Sequence, residues 1–331
     1  MNYKESAKIL GEIQKAKRIL INCHRSPDPD SIGSALALRR ILINMDKDAT
    51  IICPSDELFA SVNYLEGYKE IRKGVDFSAF DYSKYEIFIT LDSSSWDMAS
   101  GKKGFAPKKI TTITIDHHLT NEMYGDFNLV DNSVTSVGEL LFLMLEDWEV
   151  EIDRKTADCL MAGIVGDTGA FRYPGSNERT FEVVGKLMGL GADKDTAIYE
   201  IYRNEPFELI KFYAEVLTNM KIDESGKFVW SAIPFKVYKK LGKPVTAKES
   251  SASLFAQVVK NTEFGFVALE EKKNRLAVSF RSRTGFDTSK IAVELGGGGH
   301  IYASGATVEG LSFDQAVEKV LNIARKYAKR N

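Results

Sequence analysis

The chain is short of cysteine. Its three, Cys23, Cys53 and Cys159, are odd in number, show no CxxC spacing and lie in apolar segments. That excludes a disulfide framework or a cysteine-bound zinc and leaves reduced core thiols. Long apolar runs are missing as well, so no segment is fit to span a bilayer. Met1 to Arg18 alternates charge with scattered apolar residues in place of the continuous apolar stretch of a secretion signal. The expectation is a cytoplasmic protein with no membrane partner. Neither sign of charge dominates: the formal net charge is −2, which provides no broad footprint for duplex DNA, although a local basic groove could still hold a short anion. Internal repeats and low-complexity tracts are absent too. What remains is a chain of 331 residues, 44% hydrophobic and 27% charged, the composition of ordinary globular domains and the length of two.

Short β-branched runs alternate with amphipathic stretches in the first half, the pattern of an α/β fold with a mainly parallel sheet flanked by helices. Strands are expected at Arg18 to Cys23, Thr50 to Cys53, Glu86 to Leu91 and Thr111 to Ile115. Helices are expected at Ser31 to Asn44, with a serine as N-cap, and at Ser136 to Trp148, Arg154 to Val165 and Glu178 to Leu190. The first domain then covers 1–191. A helical linker follows over 192–220, interrupted at Pro206. The remainder, 221–331, reads as a second, smaller α/β domain with strands at Lys227 to Ile233 and Phe264 to Arg283, a hairpin turn at Glu270 to Asn274, and helices at Thr288 to Leu295 and Phe313 to Lys329.

All four histidines sit in aspartate-rich or glycine-rich clusters. His24 precedes Asp28 and Asp30 in the loop after the first strand, where Pro27 and Pro29 restrict the backbone around Asp28. Two aspartates beside a proline would by themselves read as an Asx turn capping the next helix; His24 in the same loop points to metal ligands. Asp92 and Asp116 each follow an apolar strand, and the crevice beyond the carboxyl ends of parallel strands is where ligands bind. Gly166-Asp167-Thr168-Gly169 adds another carboxylate with room for close backbone approach. An isolated aspartate is more often a cap, but four such segments argue for a centre. Carboxylates held close together repel unless cations neutralise them, and the economical solution is a pair of divalent ions. Mixed imidazole and carboxylate ligands favour Mn²⁺, Co²⁺, Fe²⁺ or Zn²⁺ over Ca²⁺, with Mn²⁺ the first choice. Such a pair suits phosphoester hydrolysis by a two-metal activated hydroxide. In the second domain, Arg281-Ser282-Arg283 and Gly296 to Gly299 offer guanidinium forks and unshielded backbone N–H groups to a phosphate.

The motifs His24-x3-Asp28-x-Asp30, Asp92, Asp116-His117-His118 and Gly166-Asp167-Thr168 closely resemble those of the DHH phosphoesterase family. Gly296 to Gly299 with His300 resembles the GGGH element of the DHHA1 domain, and the two halves together are similar to nanoRNase/pAp phosphatases. By that resemblance His24 and Asp28 hold one metal, Asp30, His117 and Asp167 the other, and Asp92 bridges them. Asp116 orients a ligand histidine, and His118 faces the substrate. Arg281, Ser282, Arg283, Gly297, Gly298, Gly299 and His300 form the substrate-binding set, with Phe171, Tyr173 or Tyr302 available to stack on a base. The implied activity is hydrolysis of short single-stranded RNA to nucleoside monophosphates and removal of the 3′-phosphate of adenosine 3′,5′-bisphosphate (pAp). Alternatives are a phosphodiesterase for cyclic or linear dinucleotides, such as cyclic di-AMP or pApA, and a nucleotide-binding sensor without turnover. The segment after Asp92 departs from the family pattern: it lacks the expected arginine, for which Lys102 or Lys103 is the substitute. No pattern specifies the oligomeric state, so a homodimer stays open.

Overall fold

The structure, a computed structural model, describes residues 3–173 and 175–329 and divides into two compact units, Met1–Asn204 and Glu205–Asn331. The first unit runs α1 (Lys4–Lys15), β1 (Arg18–Asn22), α2 (Pro29–Asn44), β2 (Asp48–Ile52), β3 (Ile87–Leu91), α3 (Trp96–Ser100), β4 (Thr111–Asp116), β5 (Phe127–Val130), α4 (Val137–Asp147), α5 (Arg154–Asp167), α6 (Glu178–Gly189) and α7 (Lys194–Tyr202).

Its five strands form one all-parallel sheet in the order β2-β1-β3-β4-β5. Alternation along the strands divides the two faces. Ile19, Ile21, Ile87, Ile89 and Leu91 join the large core beneath α2, α4 and α5, whereas Leu20, Ile52 and Phe88 face a smaller core with Phe77, Tyr82, Trp96 and Phe105. Strand order reverses at β1, so the loops after β1 and β3 open side by side at the carboxyl edge, the favoured place for a ligand.

Glycines set how closely α2 and α5 approach. A Cβ on Gly33 would lie 2.4 Å from the Cys159 carbonyl oxygen, and one on Gly166 would lie 2.7 Å from the Pro29 Cβ. Their absence lets the two helices pack backbone to backbone and brings Asp167 over the start of α2.

The second unit runs α8 (Phe207–Thr218), β6 (Lys221–Ile222), β7 (Phe228–Ile233), α9 (Phe235–Lys240), α10 (Ala247–Phe255), β8 (Phe264–Lys272), β9 (Arg275–Ser282), α11 (Ser289–Glu294), β10 (Gly298–Gly299), β11 (Ala303–Glu309) and α12 (Phe313–Ala328). Its sheet has the order β10-β11-β9-β8-β7-β6, antiparallel except for the β7–β8 pair. One face packs Phe228, Phe264, Phe266 and Phe280 against α11 and α12. The other packs Ile233, Val267 and Leu269 against α8 and α10.

Several boundaries differ from the sequence expectation. Helix α2 begins two residues early: Pro29 occupies the first turn and Asp28, not a serine, is the N-cap, accepting from the Ser31 N–H at 2.9 Å. Proline is pre-organised for that position and an aspartate cap satisfies an orphan donor. Strand β5 was not expected, because four residues carry too little alternation to register. The stretch 192–220 divides between the units: Ala197 and Ile201 of α7 enter the first core, and Leu209, Phe212 and Val216 of α8 enter a core of the second.

Candidate active site

Asp92 stands at the centre. It directly follows β3, is 1% exposed and adopts a left-handed φ of 53°, a conformation that costs a non-glycine residue energy and recurs at functional positions. The turn is held from outside: its N–H donates to the Ile115 carbonyl, the Asn22 side chain accepts from Leu91 N–H at 2.9 Å, and Ser93 Oγ donates to the Leu91 carbonyl.

Each oxygen of Asp92 faces a different histidine. His24 Nε2 lies 3.3 Å from Oδ2 and 3.7 Å from an oxygen of Asp28. His117 Nε2 lies 3.5 Å from Oδ1 and 3.2 Å from Asp167. Asp30 completes the second group: one ligand atom each of Asp30, His117 and Asp167 lie within 4.8 Å of one another, as do those of His24, Asp28 and Asp92, and those of Asp92, His117 and His118.

Local folding explains these placements. Asp28 spends one oxygen on the helix cap and turns the other toward His24, so the cap found in the Asx-turn reading leaves one carboxylate oxygen available to a cation. His24 Nδ1 lies 2.8 Å from the Arg25 carbonyl. A carbonyl only accepts, so Nδ1 carries the proton and Nε2 is the nitrogen aimed at the carboxylates. Asp30 is fully buried and clamped by the start of α4: Val137 N–H donates to Oδ2 at 2.6 Å and Gly138 N–H to Oδ1 at 2.9 Å, with Ser34 Oγ at 3.1 Å. Backbone N–H groups and the positive helix end suit a carboxylate. Sequence reasoning missed this clamp, although Ser136-x-x-Glu139 is a readable helix start. Asn121, also missed, donates to Asp116 Oδ2 at 2.6 Å.

One expectation is corrected here. The histidine bound to Asp116 is His118, at 2.8 Å through Nδ1, and not His117, whose ring nitrogen faces Asp92 and Asp167. His118 is 41% exposed in its side chain, leaving Nε2 toward the open side.

Carboxylates and imidazoles in this cluster shift one another strongly. Burial would lower the pKa of His24, but Asp28 and Asp92 outweigh it and hold the ring well above its ordinary value. For His117, burial again pulls down while Asp167 and Asp92 push it up to about 12. Burial raises Asp167 to about 6 and Asp30 well above the usual range, the latter also through Asp167 and Asp92. Burial opposes Asp92 too, yet His117 and His24 keep it far below a normal carboxylate. Imidazolium protons thus neutralise the carboxylates where divalent ions could. Asp92 Oδ1 is buried without a hydrogen-bond partner, an expensive omission unless something positive binds it. Oxygen and imidazole donors around that atom fit a divalent metal.

Of the lysines considered as phosphate contacts, Lys102 is engaged in an ion pair with Asp76; Lys103 is exposed. The Tyr173 ring covers Gly169, where a Cβ would lie within 2.5 Å of it, and Phe171 packs on Phe181. Tyr302 is 66% exposed.

In the second unit, Arg281 and Gly297 to Gly299 line one depression of about 550 Å³ together with Lys248 and Ser279. Ser282, Arg283 and His300 do not line it. Ser282 is buried and accepts from Gly285 N–H, Arg283 donates to the Thr262 carbonyl, and His300 is exposed in the β10–β11 turn, its N–H donating to the Ala303 carbonyl. The glycines have structural duties. Gly296, at φ 84°, and Gly297 donate to the carbonyls of Val293 and Ala292, the paired bonds of a Schellman cap on α11. A Cβ on Gly297 would sit 2.1 Å from the Gly305 carbonyl oxygen, so only glycine lets β10 approach β11. Gly298 faces open space.

The sequence matches the DHH family, N-terminal domain, over residues 18–164, and the DHHA1 domain over 237–330. The chain belongs to the DHH phosphoesterase family. Members are metal-dependent, and this chain is a phosphoric-ester hydrolase whose clustered carboxylates and imidazoles can bind metal. It is 29% identical over 328 residues to the bifunctional oligoribonuclease and PAP phosphatase NrnA of Thermus thermophilus, spanning 98% of this chain and 95% of that protein. It is 22% identical to the cyclic-di-AMP phosphodiesterase PdeA of Listeria monocytogenes, but spans only 49% of it. An exopolyphosphatase-related protein from Bacteroides fragilis shares the fold, with a TM-score of 0.90 over 98% of this chain and 96% of that one at 24% identity. Among the described residues, no helix is long and apolar enough to cross a membrane.

Proposed function

We propose that this phosphoesterase hydrolyses short oligoribonucleotides to nucleoside monophosphates and removes the 3′-phosphate of pAp, using two divalent ions, Mn²⁺ first among them. The observation that carries the two-ion reading is Asp92, whose oxygens face two separate imidazole–carboxylate groups. His24 and Asp28 would hold one ion, Asp30, His117 and Asp167 the other, with Asp92 shared. When bound, such ions supply Lewis-acid activation of water and offset the charge that grows on the phosphoryl oxygens.

The chain's own residues do the rest. The Arg25 carbonyl fixes His24 with its Nε2 inward, and the α4 N-terminus fixes Asp30, so the donors are set before substrate arrives. Asp116 holds the Nδ1 proton of His118 and, ahead of the opposing effect of burial, raises its pKa. Asp116 thereby favours the protonated imidazole of His118, which would donate from Nε2 to the leaving oxygen as the P–O bond breaks. Arg281 and the unshielded backbone of Gly298 would receive a terminal phosphate in the second unit.

The 29% identity to the Thermus oligoribonuclease and PAP phosphatase, against 22% to the Listeria phosphodiesterase, supports this substrate class. A sensor without turnover is disfavoured because every ligand residue type is retained. The test is Mn²⁺-dependent release of mononucleotide from a trinucleotide RNA, and of phosphate from pAp, with cyclic di-AMP and pApA in parallel. Cleavage of the cyclic dinucleotide alone would reject the proposal.

A further inference from the structure

Between Glu224 and Glu249 the chain contains six lysines and not one aspartate or glutamate, in a protein whose net charge is −2. Four of them, Lys236, Lys239, Lys240 and Lys243, follow helical spacing in and just beyond α9, and all four are exposed. Val237, Tyr238 and Leu241, on the opposite side, pack into the second unit's core. The apolar side is therefore used up inward and the outward side is uniformly cationic. Acidic groups on β8, against which α9 packs, are already engaged: Glu270 accepts from the N–H groups of Phe235 and Asn274, and Glu271 pairs with Arg275 and Lys248. Among the described residues none of the four lysines forms an ion pair, and Lys243 instead lies 5.2 Å from the centre of the Phe235 ring. Like charges three and four residues apart on a helix repel, so this face carries a standing cost that an anion would relieve.

The chemistry that fits is a row of phosphates. We infer that the α9 face is a binding surface for a single-stranded polyphosphodiester backbone, engaging oligonucleotides too long to be held by end groups alone. An anionic membrane is the poorer fit, since α9 offers no apolar side to insert. At the C-terminal end of the same acid-free stretch, Lys248 lines the depression that contains Arg281 but is paired with Glu249 and Glu271, so the unpaired positive charge of the stretch is that of the α9 face. This inference goes beyond the proposed substrate and is read by binding, not turnover.

The experiment compares the full chain with the Lys236→Glu/Lys239→Glu/Lys240→Glu variant, in EDTA, by fluorescence anisotropy with 5′-labelled oligo(rA) of 2 and 12 nucleotides across a NaCl series. The expected result is at least tenfold weaker binding of the 12-mer and a salt slope reduced by about 2, from three lost phosphate contacts at about 0.7 each on single strands. Binding of the 2-mer stays within twofold, and circular dichroism confirms an intact fold. Unchanged 12-mer affinity, equal weakening of both lengths, or lysine-dependent binding to phosphatidylglycerol vesicles with RNA binding unaltered each overturns the inference. Should the wild-type protein fail to cleave RNA yet lose 12-mer binding in the variant, the proposed substrate falls and this surface stands.

Discussion

Replacing Gly163 by alanine opposes two physical effects of known sign. Gly163 lies inside α5, and alanine in a helix interior is favoured over glycine by about 0.5–1 kcal/mol. Propensity alone therefore predicts stabilisation. The added Cβ, however, would meet Asp30 Oδ1 at 2.4 Å and Asp30 Cα at 3.3 Å. Restoring ordinary contact requires the carboxylate to move by roughly 1 Å, which pulls it off the Val137 and Gly138 N–H groups now at 2.6 and 2.9 Å. Overpacking costs about 1–3 kcal/mol, and each weakened hydrogen bond to a charged group up to about 1.5–3 kcal/mol. The net expectation is destabilisation by about 2 kcal/mol or more, a fall in Tm of about 4–8 °C for a unit of this size. Affinity for Mn²⁺ falls with it, because a candidate ligand has been displaced. Gly11→Ala and Gly185→Ala are the controls: both sites are helical with nothing within 4 Å of the added carbon, so Tm holds or rises. Scanning calorimetry and Mn²⁺ titration read both quantities. A Gly163→Ala protein that is as stable as wild type and binds Mn²⁺ equally well refutes the packing argument.

Other perturbations separate roles that coincide in one side chain. Asp28→Asn keeps a cap acceptor but removes charge, whereas Asp28→Ala removes both; Mn²⁺ affinity is expected to drop in each, while only the alanine variant loses about 1 kcal/mol of stability, and equal Tm values would contradict the double duty. Asp116→Asn removes the carboxylate that raises the His118 pKa, so the imidazole resonances of His118 titrate at lower pH and the alkaline limb of the rate profile moves down with them; an unmoved titration would detach the two residues. Without metal, His24 and His117 bind protons more tightly folded than unfolded. Their contribution to stability is complete below the unfolded histidine pKa of about 6.5 and is lost as pH rises toward the folded value, about 12 for His117. Asp92 acts in the opposite sense: depressed in the fold, it contributes above a pKa of about 3.9 and loses that contribution as pH falls. Tm in EDTA should therefore decline above about pH 6.5, and Mn²⁺, taking the place of the histidine protons, should remove the decline. Parallel curves with and without Mn²⁺ would count against proton–metal exchange.

Much of the site was legible because its residues follow strand ends. Asp92 and Asp116 are readable from the apolar runs before them, and the paired prolines mark the loop of Asp28. What escaped reading depends on distant partners. The clamp on Asp30 spans more than 100 positions to Val137 and Gly138, and the value of Gly163 lies in what its missing side chain makes room for. Asn121, one turn past His118, carries no periodic signal at all. The glycine run shows the reverse error: its length suggests a phosphate cradle, yet Gly296 and Gly297 cap a helix and Gly297 admits a neighbouring strand. Ser282, read as one motif with Arg281, falls on the other face because successive strand residues alternate, and Arg283 lies past the end of β9 with its guanidinium on the Thr262 carbonyl.

The most direct test of the shared-carboxylate centre is Mn²⁺ titration calorimetry on the metal-free protein at neutral pH in two buffers of different ionisation enthalpy. Two ions per chain with net proton release are predicted for the wild type, and weakened binding of both ions together for Asp92→Asn. A single wild-type ion, or two ions held as tightly by Asp92→Asn as by the wild type, would contradict it.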